Sequence, residues 1–326
     1  MKALVYQGVE QVRYQEVPTA SSSAGEHLIR VNSVGICGSD MHAYLGHDTR
    51  RPAPLILGHE AAGTIEEGAQ TGRRVTVNPL VTCGTCPECR NGRENLCGSR
   101  QIISMPPREG AFAQFVAMPE RNLVTVPDHV PMNKAALAEP LAVSWHAVRL
   151  GLEALNSGCE RRAVVIGGGA IGLAASLALR AMGVDDVMIL ESNENRREFL
   201  VDRCGQVVAS TATENVPLVI DAVGYASTRA AASELVEPGG VIVHVGLGEG
   251  SGGLDVRRIT LQEITFIGTY TYTAKDFRDT ADAIFEGKLG LLDWIEERPL
   301  SDGAKAFQDL REGIVAAPKI VLKPWS

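Results

Sequence analysis

Four cysteines crowd one short stretch, Cys83, Cys86, Cys89 and Cys97, spaced C-x2-C-x2-C-x7-C. Two-residue gaps let three thiolates converge on one point, and the longer lobe returns the fourth. Four thiolates close a tetrahedral zinc shell and leave no open position, so a zinc held here is structural. The first three cysteines also suit iron–sulfur spacing, but a ferredoxin run has a shorter last gap followed by proline. A second group of metal-capable side chains lies in Cys37-Gly-Ser39-Asp40-Met-His42 and Gly58-His59-Glu60. Taken singly, each reads as a core cysteine or a satisfied polar pair. Both follow strand-like segments of one region, which makes convergence plausible. One thiolate, one imidazole and one carboxylate would leave a zinc open to water or substrate, as catalysis requires.

A third chemical feature is Gly167-Gly168-Gly169-Ala170-Ile171-Gly172, a G-x-G-x-x-G after a strand and at the start of a helix. Gly167 permits the tight turn, Gly169 lets backbone approach a pyrophosphate, and Gly172 allows close helix–strand packing. Ala170 and Ile171 then offer free N–H groups and the helix dipole to phosphate. The next strand ends in Glu191, whose carboxylate suits ribose hydroxyls and repels a 2′-phosphate. NAD is therefore expected over NADP, although Arg196 and Arg197 could hold a phosphate.

These groups need elements to hold them. Short strands are expected at residues 2–6, 27–33, 61–66 and 74–78, punctuated by glycine and proline as in a compact β-barrel. Near Glu139 the texture changes. Residues 140–150 read as helix, and strands at 163–166, 187–190, 216–221 and 241–245 alternate with helical or glycine-rich segments. Such alternation implies a parallel sheet covered on both faces. A helix at 277–286 and a strand at 319–322 close the chain. Asp221 to Gly224 and His244 to Gly246 fall at carboxyl ends of strands, where ligands of such sheets bind.

Composition limits the function classes. The 326 residues suit two domains, with 45% hydrophobic and 21% charged residues. A net charge of −8 argues against a nucleic-acid partner. The apolar run at 163–182 is long enough for a bilayer, but its four glycines read as strand, turn and helix. No membrane association is expected. Seven cysteines, an odd count, with no signal-peptide pattern, do not read as a disulfide framework, and a cytoplasmic location is expected.

In this order along nearly the whole chain, the Cys-Gly-Ser-Asp-x-His segment, Gly-His-Glu, the cysteine lobe, Glu139-Pro-Leu and the glycine turn resemble the zinc-dependent medium-chain dehydrogenases. The sorbitol (polyol) and threonine dehydrogenase branch is the most similar. The resemblance implies an α/β fold, a Rossmann doubly wound parallel sheet inserted into a GroES-like β-barrel catalytic domain. On that pattern residues 1–140 are catalytic, with the zinc lobe at 83–97; 141–273 bind the dinucleotide, and 274–326 return to the catalytic domain. It implies two zinc ions per chain, one structural and one catalytic. Cys37, His59 and Glu60 match ligands of the catalytic zinc, and Glu139 stands where polyol dehydrogenases touch the metal or its water. Asp40 matches the residue that orients the ligand histidine. Ser39 and His42 match a relay carrying the substrate hydroxyl proton to solvent by way of the cofactor ribose. Val223, Gly246 and Thr269 match cofactor contacts, and Phe112 and Tyr272 pocket-lining positions.

The implied activity is hydride transfer between a secondary alcohol, polyol or sugar-derived substrate and NAD, by a homodimer or homotetramer. Amino alcohols are the alternative substrates. A zinc-free quinone or enone reductase and a non-catalytic NAD-binding protein are the competing readings. Three departures stand out: Thr271-Tyr272 replaces the Arg-Tyr of mammalian-type sorbitol dehydrogenases, the loop between Glu66 and Arg74 is short, and most of a helix is missing between Cys204 and Val216.

Overall fold

The computed structural model describes residues 1–212 and 214–326. The chain divides into two compact units. One comprises Met1–Glu139, Thr273–Glu286 and Ile295–Ser326; the other comprises Pro140–Tyr272 and Gly287–Trp294.

The first unit is built on antiparallel strands. Its largest sheet runs in the order Leu123–Thr125, Arg74–Val77, Glu60–Ile65, Glu26–Gly35, Lys319–Lys323, Ile295–Pro299, and Phe115–Pro119 also pairs with Glu26–Gly35. A smaller sheet orders Gln11–Glu16, Lys2–Gly8 and Leu55–Ile56. The long strand Glu26–Gly35 matters most for chemistry. Its register places Gly35 opposite Glu60, and the last strand places Val321 opposite Gly35. The segment leading to Cys37, the start of the Gly-His-Glu strand and the chain's final strand therefore meet at one point. Alternation makes this possible, because period-two side chains such as Ile29 and Val31 pack inward at 0% exposure.

The second unit is a six-stranded parallel sheet in the order Val207–Ala209, Asp186–Leu190, Arg162–Ile166, Val216–Asp221, Val236–His244, Thr265–Gly268. Val164, Val219 and Ile242 form its core with Ile166, Val216 and Val236. Register aligns the carboxyl ends: Ile166 pairs with both Leu190 and Asp221, Asp221 with His244, and His244 with Gly268. Strand order reverses beside Arg162–Ile166, the switch point at which doubly wound sheets bind ligands. The apolar run that resembled a membrane span resolves into Arg162–Ile166 and the helix Ala170–Ala181. No helix of the described residues is long and apolar enough to cross a membrane. Between the helix Glu194–Asp202 and Val216, the described residues hold the short strand Val207–Ala209 and no helix, as the sequence suggested.

Candidate active site and metal centres

The cysteine lobe is a loop with little internal packing. Cys86 caps the short helix Pro87–Arg90, and Cys97 ends the 3-10 turn Glu94–Leu96. The four sulfurs converge: Cys83 Sγ lies 3.9 Å from Cys89 and 3.6 Å from Cys97, and Cys86 Sγ lies 3.5 Å from Cys89. Thiolates at zinc–sulfur bond length on a tetrahedron stand about 3.8 Å apart. The match favours a single zinc over an iron–sulfur cluster, whose several irons would spread the sulfurs. It also excludes disulfides, which need sulfurs about 2 Å apart. N–H donation from Thr85, at 3.5 Å, and Cys86, at 3.4 Å, pulls the Cys83 thiol down to about 5.

The second cluster forms where the strands meet. Cys37 is the N-cap of the helix Gly38–Tyr44, and its N–H donates to Asp40 Oδ2 at 3.0 Å. Asp40, fully buried, accepts from Gly58 N–H at 3.3 Å and faces His59 Nδ1 at 3.4 Å. Burial alone would raise the Asp40 carboxyl, but His59, Arg51 and the Cys37 N–H hold it below its ordinary value. Burial works against charge on His59 too, yet Asp40 and Cys37 outweigh it and raise the imidazole well above its usual range. Cys37, His59 and Glu60 offer ligand atoms within 4.8 Å of one another.

Glu60 tests whether a cation fits. Its Oε1 accepts from Lys319 Nζ at 2.7 Å, while its Oε2 is buried with no hydrogen-bond partner. A Cβ on Gly35 would come within 2.0 Å of that oxygen, so glycine there leaves the carboxylate its room. A buried carboxylate oxygen without a partner costs free energy that a bound cation would recover. Thiolate, imidazole and carboxylate are zinc donors, and the residues fit zinc.

Glu139 is also buried, near the start of the helix Ala138–Ala154. It stands outside the convergent trio, although its charge, after those of Glu60 and Cys37, helps keep the buried Lys319 protonated against burial. Ser39 Oγ lies 3.4 Å from His59 Nε2. His42 is exposed one helical turn further on. Phe112, read as a pocket position, is 1% exposed and packs on Phe307, and Tyr272 is equally buried.

In the second unit each glycine of the turn has its own reason. Gly167 has a φ of +98°, and a Cβ there would meet Val223 at 2.4 Å. A Cβ on Gly172 would lie 1.7 Å from the Gly167 carbonyl oxygen. A Cβ on Gly169 would meet nothing within 4 Å, so protein packing does not explain that glycine. It caps Ala170–Ala181 without a side-chain bond, a helix start suited to an anion. Glu191 accepts from Gly168 N–H at 2.9 Å and from Asn193 N–H at 2.8 Å, fixing its carboxylate beside the glycine turn. Arg197 donates to the carbonyls of Glu191 and Ser192 at 3.0 and 2.7 Å. Arg196 enters the helix Glu194–Asp202, its N–H bonded to Asn193 Oδ1 at 3.0 Å. Val223, Gly246 and Thr269 all follow strand carboxyl ends, and Thr269 N–H donates to the His244 carbonyl at 3.1 Å.

Sequence reasoning missed several participants. Lys319 sits in an apolar final strand and reads as a surface charge until its partner is seen. Arg51 belongs to a polar Thr-Arg-Arg-Pro loop but is 3% exposed. Asp221, which the sequence placed at a strand end, accepts from Val223 and Gly224 N–H at 3.1 and 2.9 Å and pairs with His244 Nδ1 at 3.1 Å, a pairing the sequence did not show.

Comparison with known proteins places this geometry. Residues 23–128 match the alcohol dehydrogenase GroES-like domain, and residues 170–286 match the zinc-binding dehydrogenase domain. L-idonate 5-dehydrogenase of Vitis vinifera is 30% identical over 294 residues, 81% of this chain and 78% of the relative. Sorbitol dehydrogenase of Arabidopsis thaliana is 31% identical over 296 residues, 81% of this chain and 79% of the relative. The NADH complex of the alcohol dehydrogenase rspB from E. coli CFT073 has a TM-score of 0.88 at 25% identity, covering 99% of both chains.

Proposed function

The chain belongs to the zinc-binding alcohol dehydrogenase family, in its polyol dehydrogenase branch, and we propose that it oxidises a secondary hydroxyl of a polyol or sugar acid with NAD. The observation that carries the reading is the buried, partnerless Oε2 of Glu60 beside Cys37 and His59. Those three residues would hold the catalytic zinc, with Glu139 nearby, and Cys83, Cys86, Cys89 and Cys97 the structural one. When bound, zinc supplies Lewis acidity toward a hydroxyl oxygen, and NAD supplies the hydride acceptor.

The chain's own residues do the rest. Asp40 faces His59 Nδ1 and would orient the ring as a metal ligand. Ser39 Oγ takes the substrate hydroxyl proton as its own proton passes toward His42, whose ring reaches solvent. The N–H groups of Ala170 and Ile171 would receive the pyrophosphate, Glu191 the adenosine ribose hydroxyls, and Val223, Gly246 and Thr269 would serve the nicotinamide end. Arg196 would join Glu191 at the ribose. The unit containing Met1–Glu139 would be catalytic and the other would bind the dinucleotide. A homodimer or homotetramer in the cytoplasm completes the proposal.

The test is NAD reduction against sorbitol, L-idonate, other sugar acids and threonine, with metal analysis. Cys37→Ser and His59→Ala should each lower turnover by about a hundredfold or more while NADH binding persists. Near-native turnover in either variant would sink the catalytic zinc reading. The best substrate being an amino alcohol would move the chain to the threonine-like alternative.

A further inference from the structure

We propose that Arg51 is a positioning residue for the proton relay, setting the direction in which the Ser39 hydroxyl donates. The inference rests on the reading of Ser39 as the first acceptor of the substrate proton. Arg51 lies in the loop before the strand Leu55–Ile56 and is 3% exposed. Its Nε donates to the Ser104 carbonyl at 3.0 Å, its Nη1 to the Ser39 carbonyl at 3.4 Å, and its Nη2 to Ser39 Oγ at 3.5 Å. The two serines it bridges flank the ring of His59. Ser39 Oγ stands 3.4 Å from Nε2 and Ser104 Oγ stands 3.4 Å from Nδ1. One guanidinium therefore ties the Ser39 hydroxyl and carbonyl to the backbone of Ser104, whose own hydroxyl faces the other ring nitrogen.

The chemistry of guanidinium gives this arrangement a consequence. It carries donors only and stays charged in proteins. Ser39 Oγ must therefore accept from Arg51, and its own O–H must turn away, free to donate to the next group. As the substrate proton arrives at Oγ, the serine proton leaves on the side opposite Arg51, and no net charge remains on the serine. A lysine could not hold both carbonyls in one plane.

Two observations weigh against simpler roles. An ion pair that merely ties the loop to Asp48 would use Nη1 alone, and it leaves the placement of Nε on Ser104 and Nη2 on Ser39 unexplained. Recognition of a substrate carboxylate is disfavoured as well. Asp48 already pairs with Nη1 at 2.6 Å and is held at about 2, against burial, by Arg50 and then Arg51. The remaining donors are mostly committed to the two serines.

The experiment is a double-mutant cycle of Arg51→Ala and Ser39→Ala in the zinc-loaded protein, using sorbitol and L-idonate with NAD. Zinc content and NADH fluorescence titration serve as readouts independent of turnover. Arg51→Ala should lower kcat roughly tenfold to a hundredfold with KM within about twofold, as for a misplaced catalytic group. It should also raise the solvent deuterium isotope effect on kcat. In the Ser39→Ala background the same change should cost almost nothing more, because the two act as a unit. Arg51→Lys should recover only part of the loss. If Arg51→Ala does not fold, as loss of bound zinc would report, Arg51→Lys carries the cycle. Additive losses would overturn the inference, and so would a KM increase confined to L-idonate, which would make Arg51 an anion site. Full turnover in Ser39→Ala alone would instead sink the relay reading, and no turnover of sorbitol, L-idonate, other sugar acids or threonine by native protein would remove both.

Discussion

At the scale of single residues, the proposed choice of cofactor turns on one carboxylate. The Glu191 carboxylate is anchored by two backbone N–H groups, from Gly168 and Asn193, so it stands in one place rather than sweeping through solvent. A Cβ on Gly168 would lie 2.9 Å from that same carboxylate, so turn and acid are fitted to each other. A 2′-phosphate brought there meets a like charge, a juxtaposition worth several kcal/mol. Glu191→Ala should weaken NAD and relieve the repulsion of NADP, narrowing the efficiency ratio by about tenfold or more. Turnover efficiency with each cofactor at fixed substrate checks this. A native preference for NADP, or an unchanged ratio in the variant, would overturn the assignment of the ribose site.

At the scale of elements, the cysteine lobe has hydrogen-bonded turns but little apolar packing to hold it. Between Cys83 and Cys97 only Asn95 and Cys97 are buried, and Leu96 is 46% exposed. With no apolar core of its own, the lobe needs metal-binding energy as folding energy. Cys97→Ala should therefore lose one zinc and open the lobe to trypsin at Arg90 or Arg93, while the rest of the chain resists. Mass spectrometry of a timed digest reads the outcome. A variant that keeps both metals and native resistance would sink the structural role. The lobe was legible in the sequence because thiolate spacing is a local constraint. The strand at Val216–Asp221 was equally legible, an apolar run from Val216 to Ile220 closed by Asp221, with all six residues buried. Other elements were not. Val236–His244 begins earlier than its apolar stretch, carried through Pro238 and Gly239 by pairing of Val236 with Val216. The strand Ile295–Pro299, written Ile-Glu-Glu-Arg-Pro, has no hydrophobic alternation and exists because Lys319–Lys323 lies beside it. Lys319 and Arg51 escaped for the same reason. A charged residue's burial is set by partners distant in the chain, Glu60 in one case and Ser104 in the other.

Across the whole molecule the two chemistries are divided by chain segment. Every proposed zinc ligand falls within Met1–Glu139, and the proposed cofactor contacts fall within Pro140–Tyr272. The parallel sheet closes its own core around Val164, Val219 and Ile242 with no metal-ligating residue in it. Nothing in that packing requires zinc. Protein purified without chelator should carry two zinc ions per chain, and treatment with 1,10-phenanthroline should remove activity with the metal. NADH affinity, read by fluorescence, should stay within about twofold of native, because N–H groups at a helix start need no metal to bind phosphate. NADH at about a hundred times its dissociation constant should still stabilise the chelated protein by about 2.7 kcal/mol, seen as a raised melting temperature. Loss of NADH binding in step with zinc would contradict the division. It would mean that the cofactor's contacts depend on metal-bound segments, and that the glycine turn and Glu191 do not hold the dinucleotide by themselves.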